Sequence, residues 1–243
     1  MLRSPPPCFG LLCAAAACAS SPSAGPSSHP ASHPASHPGS GPHQGAFHHS
    51  FEDAEKWAGV FDDPARAAWQ KPDDVVALLG LVPGQTVADL GAGTGYFMSR
   101  LSNAVGPDGT VLALDPELNM VRYMEKRARR EGLENVEARR ISTDDPGLPT
   151  GRTHVVLIVD TWHHIGRRGA YAEKLAAGLA PGGAVFIVDF TLDSPEGPPR
   201  EHRLTASQVA QELSQGGLEA TILEEELPRQ YVVKGTLKGG AEP

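Results

Sequence analysis

Short apolar runs alternate with amphipathic stretches from Val75 to Leu237, so strand-like and helix-like periods take turns along the chain. The runs are Val87-Ala88-Asp89-Leu90, Thr110 to Asp115, Val136 to Ile141, His154 to Asp160 and Ala184 to Phe190. Most are nearly continuous in Val, Ile and Leu, the pattern of parallel strands buried on both faces. Pro116 to Glu131 reads as a helix that opens with Pro and Glu and stops at Gly132. Ala170 to Leu179 reads as another, ending before Pro181-Gly182-Gly183, and Thr205 to Leu213 as a third. Leu218 to Leu227 and Gln230 to Leu237 predict a terminal hairpin turning at Pro228-Arg229. Strands and helices in this order predict an α/β fold with a doubly wound, mostly parallel sheet of seven strands, a C-terminal antiparallel hairpin, and helices on both faces.

The N-terminal quarter has a different character. Arg3, an apolar tract from Phe9 to Ala17 and the small residues Ala15-Ala16-Ala17-Cys18-Ala19 read as an export leader over residues 1–19. Ala15-Ala16-Ala17-Cys18 resembles a lipoprotein processing box, with Cys18 as the point of lipidation and membrane attachment, though Ala15 stands where Leu is usual. The tract is too short to span a bilayer. Residues 20–46 are rich in Ser, Pro, Ala and Gly, repeat Ser-His-Pro at 28, 32 and 36, and cannot bury a core, so they read as a disordered linker. The linker histidines are potential Zn²⁺ or Cu²⁺ ligands, but on a floppy chain they would make an unselective site, and no metal site is assigned. Residues 47–71 read as a helical lead-in, with Asp62-Asp63-Pro64 as a helix start. Trp57, Phe61 and Trp69 there suit core anchors better than a lid. Residues 72–243 form the main domain, opening on a capped helix from Pro72 to Gly80.

The chemistry concentrates after the first strand, in Asp89-Leu90-Gly91-Ala92-Gly93-Thr94-Gly95. Glycine at every second position permits a sharp turn and lets a ligand approach backbone N–H groups. The spacing is G-x-G-x-G rather than the G-x-G-x-x-G of a dinucleotide site, and Asp89 sets a carboxylate where a ligand's amino group can sit. A second strand ends in Asp115, about twenty residues beyond Gly95, where an acid can accept both ribose hydroxyls. Each motif alone also fits an ordinary connector or a helix cap.

In this order and spacing the two motifs resemble those of the class I S-adenosylmethionine-dependent methyltransferases, over roughly residues 72 to 237. The resemblance implies a Rossmann-like sheet and S-adenosylmethionine as cofactor. It implies that the loop Gly91, Ala92, Gly93, Thr94 and Gly95, with Asp89, holds the methionine part, and that Asp115-Pro116 holds the ribose. A third acid, Asp144 or Asp145, is implied to face the adenine, although Thr143 stands where a glycine is usual.

Methyl transfer is an in-line displacement, so alignment in a dry pocket dominates and a base is needed for some acceptors only. Asp160, His163 and His164, following the fourth strand at the C-terminal edge of the sheet, are the candidate catalytic groups, since histidine suits proton removal near neutral pH. The same pair also suits packing beneath the pocket. His202, on a loop after the fifth strand, is a weaker candidate.

A net charge of −8 argues against a nucleic-acid partner. Lys126, Arg127, Arg129 and Arg130 read as the solvated face of a helix. All three cysteines, Cys8, Cys13 and Cys18, lie in the leader, so the domain has no disulfide and the compartment stays open. The expected function is methyl transfer to a small or lipophilic acceptor. An exported lipoprotein with a non-catalytic, ligand-binding domain of the same fold is the alternative, because S-adenosylmethionine is a cytoplasmic metabolite. A nicotinamide-dependent reductase ranks below both on the glycine spacing.

Overall fold

A computed structural model of the chain describes residues 53–225 and 227–239. The leader, Cys18 and the histidine-rich linker lie outside these residues, as does the start of the lead-in. Among the described residues no helix is long and apolar enough to cross a membrane.

The lead-in folds as α1 (Ala54–Phe61), a 3₁₀ turn (Pro64–Arg66) and α2 (Ala67–Gln70). The Asp53 carboxylate caps α1 by accepting from the Lys56 N–H, and Asp63 accepts from Ala65 N–H ahead of Pro64, as the sequence predicts. There follow α3 (Pro72–Leu78), β1 (Thr86–Leu90), α4 (Met98–Val105), β2 (Thr110–Asp115), α5 (Leu118–Glu131), β3 (Val136–Arg140) and β4 (Thr153–Val159). The chain closes with α6 (Arg168–Gly178), β5 (Leu179–Phe190), α7 (Ala206–Gln215), β6 (Leu218–Leu223) and β7 (Gln230–Leu237).

The seven strands lie in the order β3-β2-β1-β4-β5-β7-β6. The first five are parallel, and β7 is antiparallel to both β5 and β6. The apolar runs follow from burial on both faces. Val155, Leu157 and Val159 of β4 turn to a core shared with α3 and α4. Val156 and Ile158 turn to the opposite core, built with Leu175 of α6 and Val209 and Leu213 of α7. Helices therefore cover both faces, and the sheet order reverses between β1 and β4. Ligands of such sheets bind at that reversal, outside the carboxyl ends of the strands.

Several boundaries differ from expectation. Helix α5 starts at Leu118, two residues after Pro116, because Glu117 is extended at the N-cap; Gly132 ends it in the left-handed conformation. Strand β5 begins directly at Leu179 and carries Pro181-Gly182-Gly183 as an irregularity inside the strand, where β4 pairing shifts register between Thr153 and Val155. A Cβ on Gly183 would stand 2.9 Å from the carbonyl oxygens of Ala180 and His154, so only glycine admits this close approach. Strand β6 stops at Leu223, so the hairpin joins through a loop rather than a tight turn at Pro228-Arg229.

Candidate active site

The turn after β1 is wound back onto β2. The N–H groups of Gly91 and Ala92 both donate to the Leu114 carbonyl, at 2.8 and 3.1 Å. Gly93 N–H donates to Asp115 Oδ2 at 2.9 Å, and Glu117 N–H donates to Asp115 Oδ1 at 2.8 Å. Gly91, Gly93 and Gly95 all have positive φ, which this winding requires. The turn lines one wall of a cavity of about 490 Å³, within the range of small-ligand sites.

Asp89, Gly91, Ala92, Gly93, Thr94, Asp115 and Pro116 line this cavity, and Gly95 lies behind it against Met98. Asp89 is buried, and its Oδ2 atom has no hydrogen-bond partner. Burial raises its pKa to about 7, with Asp115 adding to the rise and Arg66 opposing it. Burial also lifts Asp115 to about 6, against the N–H groups of Glu117 and Gly93 that favour its charge. A native fold rarely leaves a buried carboxylate oxygen unsatisfied, and one facing a cavity fits a cationic ligand group.

The expected third acids are placed elsewhere. Ile141, Ser142 and Thr143 form the cavity rim, whereas Asp144 and Asp145 are exposed and outside the lining. Asp144 accepts from the Ser142 hydroxyl at 2.5 Å, and Asp145 accepts from Gly147 N–H at 2.9 Å and from Lys174 at 3.3 Å. Those contacts turn both carboxylates toward α6 and lower their pKa values, through Ser142 for Asp144 and Gly147 for Asp145.

Trp57, Phe61 and Trp69 are not core anchors. They are half-buried and line the cavity with Val60 and Arg66. Phe61 lies over the glycine turn so closely that a Cβ on Gly93 would be 3.3 Å from its ring. Arg127 holds this cover down, and it is not on a solvated face. Its guanidinium donates to Asp62 at 2.9 Å and to the Thr94 carbonyl at 3.1 Å, while the Thr94 hydroxyl donates to Asp62 at 3.1 Å.

A closed ring of side chains fixes the other end of the lead-in. Arg66 donates to Gln70 Oε1 at 2.9 Å, Gln70 Nε2 to Gln230 Oε1 at 2.6 Å, Gln230 Nε2 to Asp160 Oδ1 at 2.5 Å, and Arg66 to Asp160 Oδ2 at 3.3 Å. Asp160 lines the cavity with φ of 52°, and both its oxygens are engaged in this ring. Burial raises its pKa to about 7 despite the facing Arg66. Arg66 also lies 4.3 Å over the Tyr96 ring centroid.

His163 and His164 occupy a 3₁₀ turn after β4, their rings 4.2 Å apart, and both line the cavity. His163 is buried, and its Nδ1 is 3.0 Å from both carboxylate oxygens of Asp189 on β5. Trp162 is fully buried and donates its indole N–H to Glu212 on α7 at 2.8 Å. His202 is exposed and outside the lining, but its loop reaches the cavity through Glu196, Gly197, Pro198 and Pro199.

Arg203 shapes that loop by donating to the carbonyls of Thr191, Leu192, Ser194, Glu196 and Pro198 at 2.6 to 3.2 Å. Arg203→Ala strands these acceptors and is expected to destabilise the fold by about 2–4 kcal/mol. Limited proteolysis is expected to cut between Thr191 and Arg203 in the variant and not in the parent. An uncut variant loop would show that Arg203 does not hold it.

Residues 87–183 match the family described as methyltransferase domain. Over that stretch, two fifths of its length, the chain is similar to methyltransferase domains. It is 26% identical over 155 residues to the ubiquinone/menaquinone biosynthesis C-methyltransferase UbiE of Hydrogenovibrio crunogenus, covering 58% of this chain and 60% of that protein. It is 33% identical over 113 residues to the nocamycin O-methyltransferase of Saccharothrix syringae, covering 45% of this chain and 40% of that protein. The chain thus spans less than two thirds of these curated relatives. The crystal structure of a SAM-dependent methyltransferase from Aquifex aeolicus superposes with a TM-score of 0.70 at 28% identity, covering 75% of this chain and 97% of that one. S-adenosylmethionine is the cofactor of this fold and family. The glycine turn, Asp89 and Asp115 have the chemistry that such a cofactor calls for.

Three contributions carried no motif: Arg66, Arg127 and Asp189. Asp189 was the most readable, as a lone acid in the apolar run Ala184 to Phe190.

Proposed function

We propose that this protein is an S-adenosylmethionine-dependent methyltransferase acting on a small, lipophilic, planar acceptor. The buried, partnerless Asp89 Oδ2 beside the glycine turn carries this reading, because it offers an anionic seat for an amino group. Asp115 accepts one backbone N–H on each oxygen and keeps lone pairs for hydroxyl donors. The backbone of Gly91 to Thr94 supplies the close wall between them. When bound, the cofactor supplies an electrophilic methyl group on a sulfonium. The chain's part is to orient the two reactants and exclude water, and the cover of Trp57, Phe61 and Trp69 with Phe190 and the Pro198-Pro199 loop suits both tasks. These aromatic walls favour a flat apolar acceptor, in keeping with the quinone in the name of one relative.

Calorimetric titration of the full chain with S-adenosylmethionine, S-adenosylhomocysteine and NAD tests the proposal. Micromolar binding of the two sulfur nucleosides, and none of NAD, is expected. Absence of binding would instead favour the exported, Cys18-anchored lipoprotein with a non-catalytic domain, the reading that the leader motif supports.

A further inference from the structure

Asp144 and Asp145, the acids expected beside the purine base, are turned out of the cavity, yet the end they would have served keeps a built wall. Ile141 N–H donates to the Asp115 carbonyl at 3.1 Å, so the end of β3 adjoins the acid that suits the ribose. A base bonded to that ribose lies toward this end, where the lining is Ile141, Ser142 and Thr143 after β3, with Ile165 and Tyr171 after β4. Tyr171 sits on α6 between two anchors of the Asp144-Asp145 loop. Arg167, one turn before it, faces Asp144 at 3.8 Å, and Lys174, one turn after it, donates to the Asp144 carbonyl at 2.6 Å and to Asp145 at 3.3 Å. Residues at this spacing share one helix face, so the loop crosses the part of α6 that carries Tyr171. The Tyr171 ring packs edge-on against Trp162 with centroids 6.3 Å apart, and the residue is only 3% exposed. Its hydroxyl makes no hydrogen bond among the described residues, whereas a buried tyrosine O–H usually finds a partner. Burial, with the charges of Asp145 and Asp144, raises its pKa, so it stays neutral. Those charges draw the hydroxyl proton to their side and leave an oxygen lone pair for the cavity.

We infer that the Tyr171 hydroxyl recognises the purine base of the cofactor by accepting a hydrogen bond from its 6-amino group, in place of a carboxylate after β3. The inference rests on the S-adenosylmethionine reading and adds the residue that selects its base. Ile141 and Ile165 offer apolar surface to a flat ring. The Ser142 hydroxyl is already committed to Asp144, which leaves the buried Tyr171 oxygen unspent at this end. A hydroxyl that is paired only when the base arrives is no loss to the free protein when removed, and this separates recognition from a structural role.

The probes are S-adenosylhomocysteine and its analogue in which hydrogen replaces the purine 6-amino group, titrated calorimetrically into the full chain and its Tyr171→Phe variant. The parent is expected to prefer S-adenosylhomocysteine by about five- to tenfold, and the variant to bind both probes alike, at the parent's affinity for the analogue. Asp144→Asn is expected to change neither affinity by more than about twofold. The melting temperature of Tyr171→Phe without ligand is expected to equal or exceed the parent's. Failure of S-adenosylhomocysteine to bind the parent would overturn the cofactor reading itself. With that binding intact, four results would overturn the role of Tyr171: equal affinity of the parent for both probes, a preference retained by Tyr171→Phe, a preference lost in Asp144→Asn, or a lower melting temperature of unliganded Tyr171→Phe.

Discussion

Gly91→Ala is expected to abolish measurable S-adenosylhomocysteine binding and to lower the melting temperature by about 10 °C. The backbone at Gly91 has φ of 76°, a region that an L side chain enters at about 1–2 kcal/mol. Its added Cβ would collide with the side chain of Thr161, which follows Asp160 after β4. Neither partner is free to retreat. Gly91 N–H is fixed to the Leu114 carbonyl at 2.8 Å, and the Thr161 hydroxyl donates to the Val159 carbonyl at 2.9 Å. Overpacking of this kind adds about 1–3 kcal/mol. Relief is available only by moving the turn that lines the cofactor wall, so stability and affinity fall together. Gly59→Ala is the matched control, since a Cβ there meets nothing within 4 Å and sits in helix α1. Differential scanning calorimetry and titration of both variants check the prediction, and unchanged binding by Gly91→Ala would remove the turn from the site.

The parts of this molecule that a linear reading reaches are those whose cause is local. Strands β1, β2 and β4 are legible because burial on both faces leaves a continuous apolar run, and the end of α5 is legible because Gly132 takes a left-handed conformation. The glycine turn with Asp89 and Asp115 is legible because backbone winding and ligand approach both demand glycine at fixed spacing. Insertion of β7 between β5 and β6 is set by pairing between distant segments and leaves no local mark. The cover is hidden for a similar reason: Trp57, Phe61 and Trp69 at helical spacing suit a core and a cavity wall equally, and only the position of α1 over Gly93 decides. Arg127 is indistinguishable in sequence from its exposed neighbours Arg129 and Arg130, yet it alone meets Asp62. Asp144 and Asp145 were matched by place in the chain, while the turn at Ser142 to Gly147 directs them to Lys174 and Arg167 instead.

Cofactor affinity is expected to rise with pH up to about pH 7 and then level off, because the empty site holds protons that a cationic ligand must displace. Asp89 has its pKa raised from 3.8 to about 7, and Asp115 from 3.8 to about 6. The folded protein therefore binds more protons than the unfolded chain between about pH 4 and pH 7, so these groups contribute stability at low pH that is lost as pH rises through that window. Ligand binding runs the other way. An amino group seated on Asp89 favours its carboxylate, so association near pH 6 releases a proton and affinity changes by up to about tenfold per pH unit. Titrations in buffers of differing ionisation enthalpy measure that proton directly. Asp89→Asn cannot take part: its affinity is expected to fall by about 1.5–3 kcal/mol above pH 7, and its pH profile to flatten below it. The variant is also expected to lose less stability than the parent between pH 5 and pH 7, since a neutral amide pays no penalty for burial as a charge. Parent affinity that stays constant across this range would mean that Asp89 meets no cation, and the assignment of the ligand's amino group to it would fall.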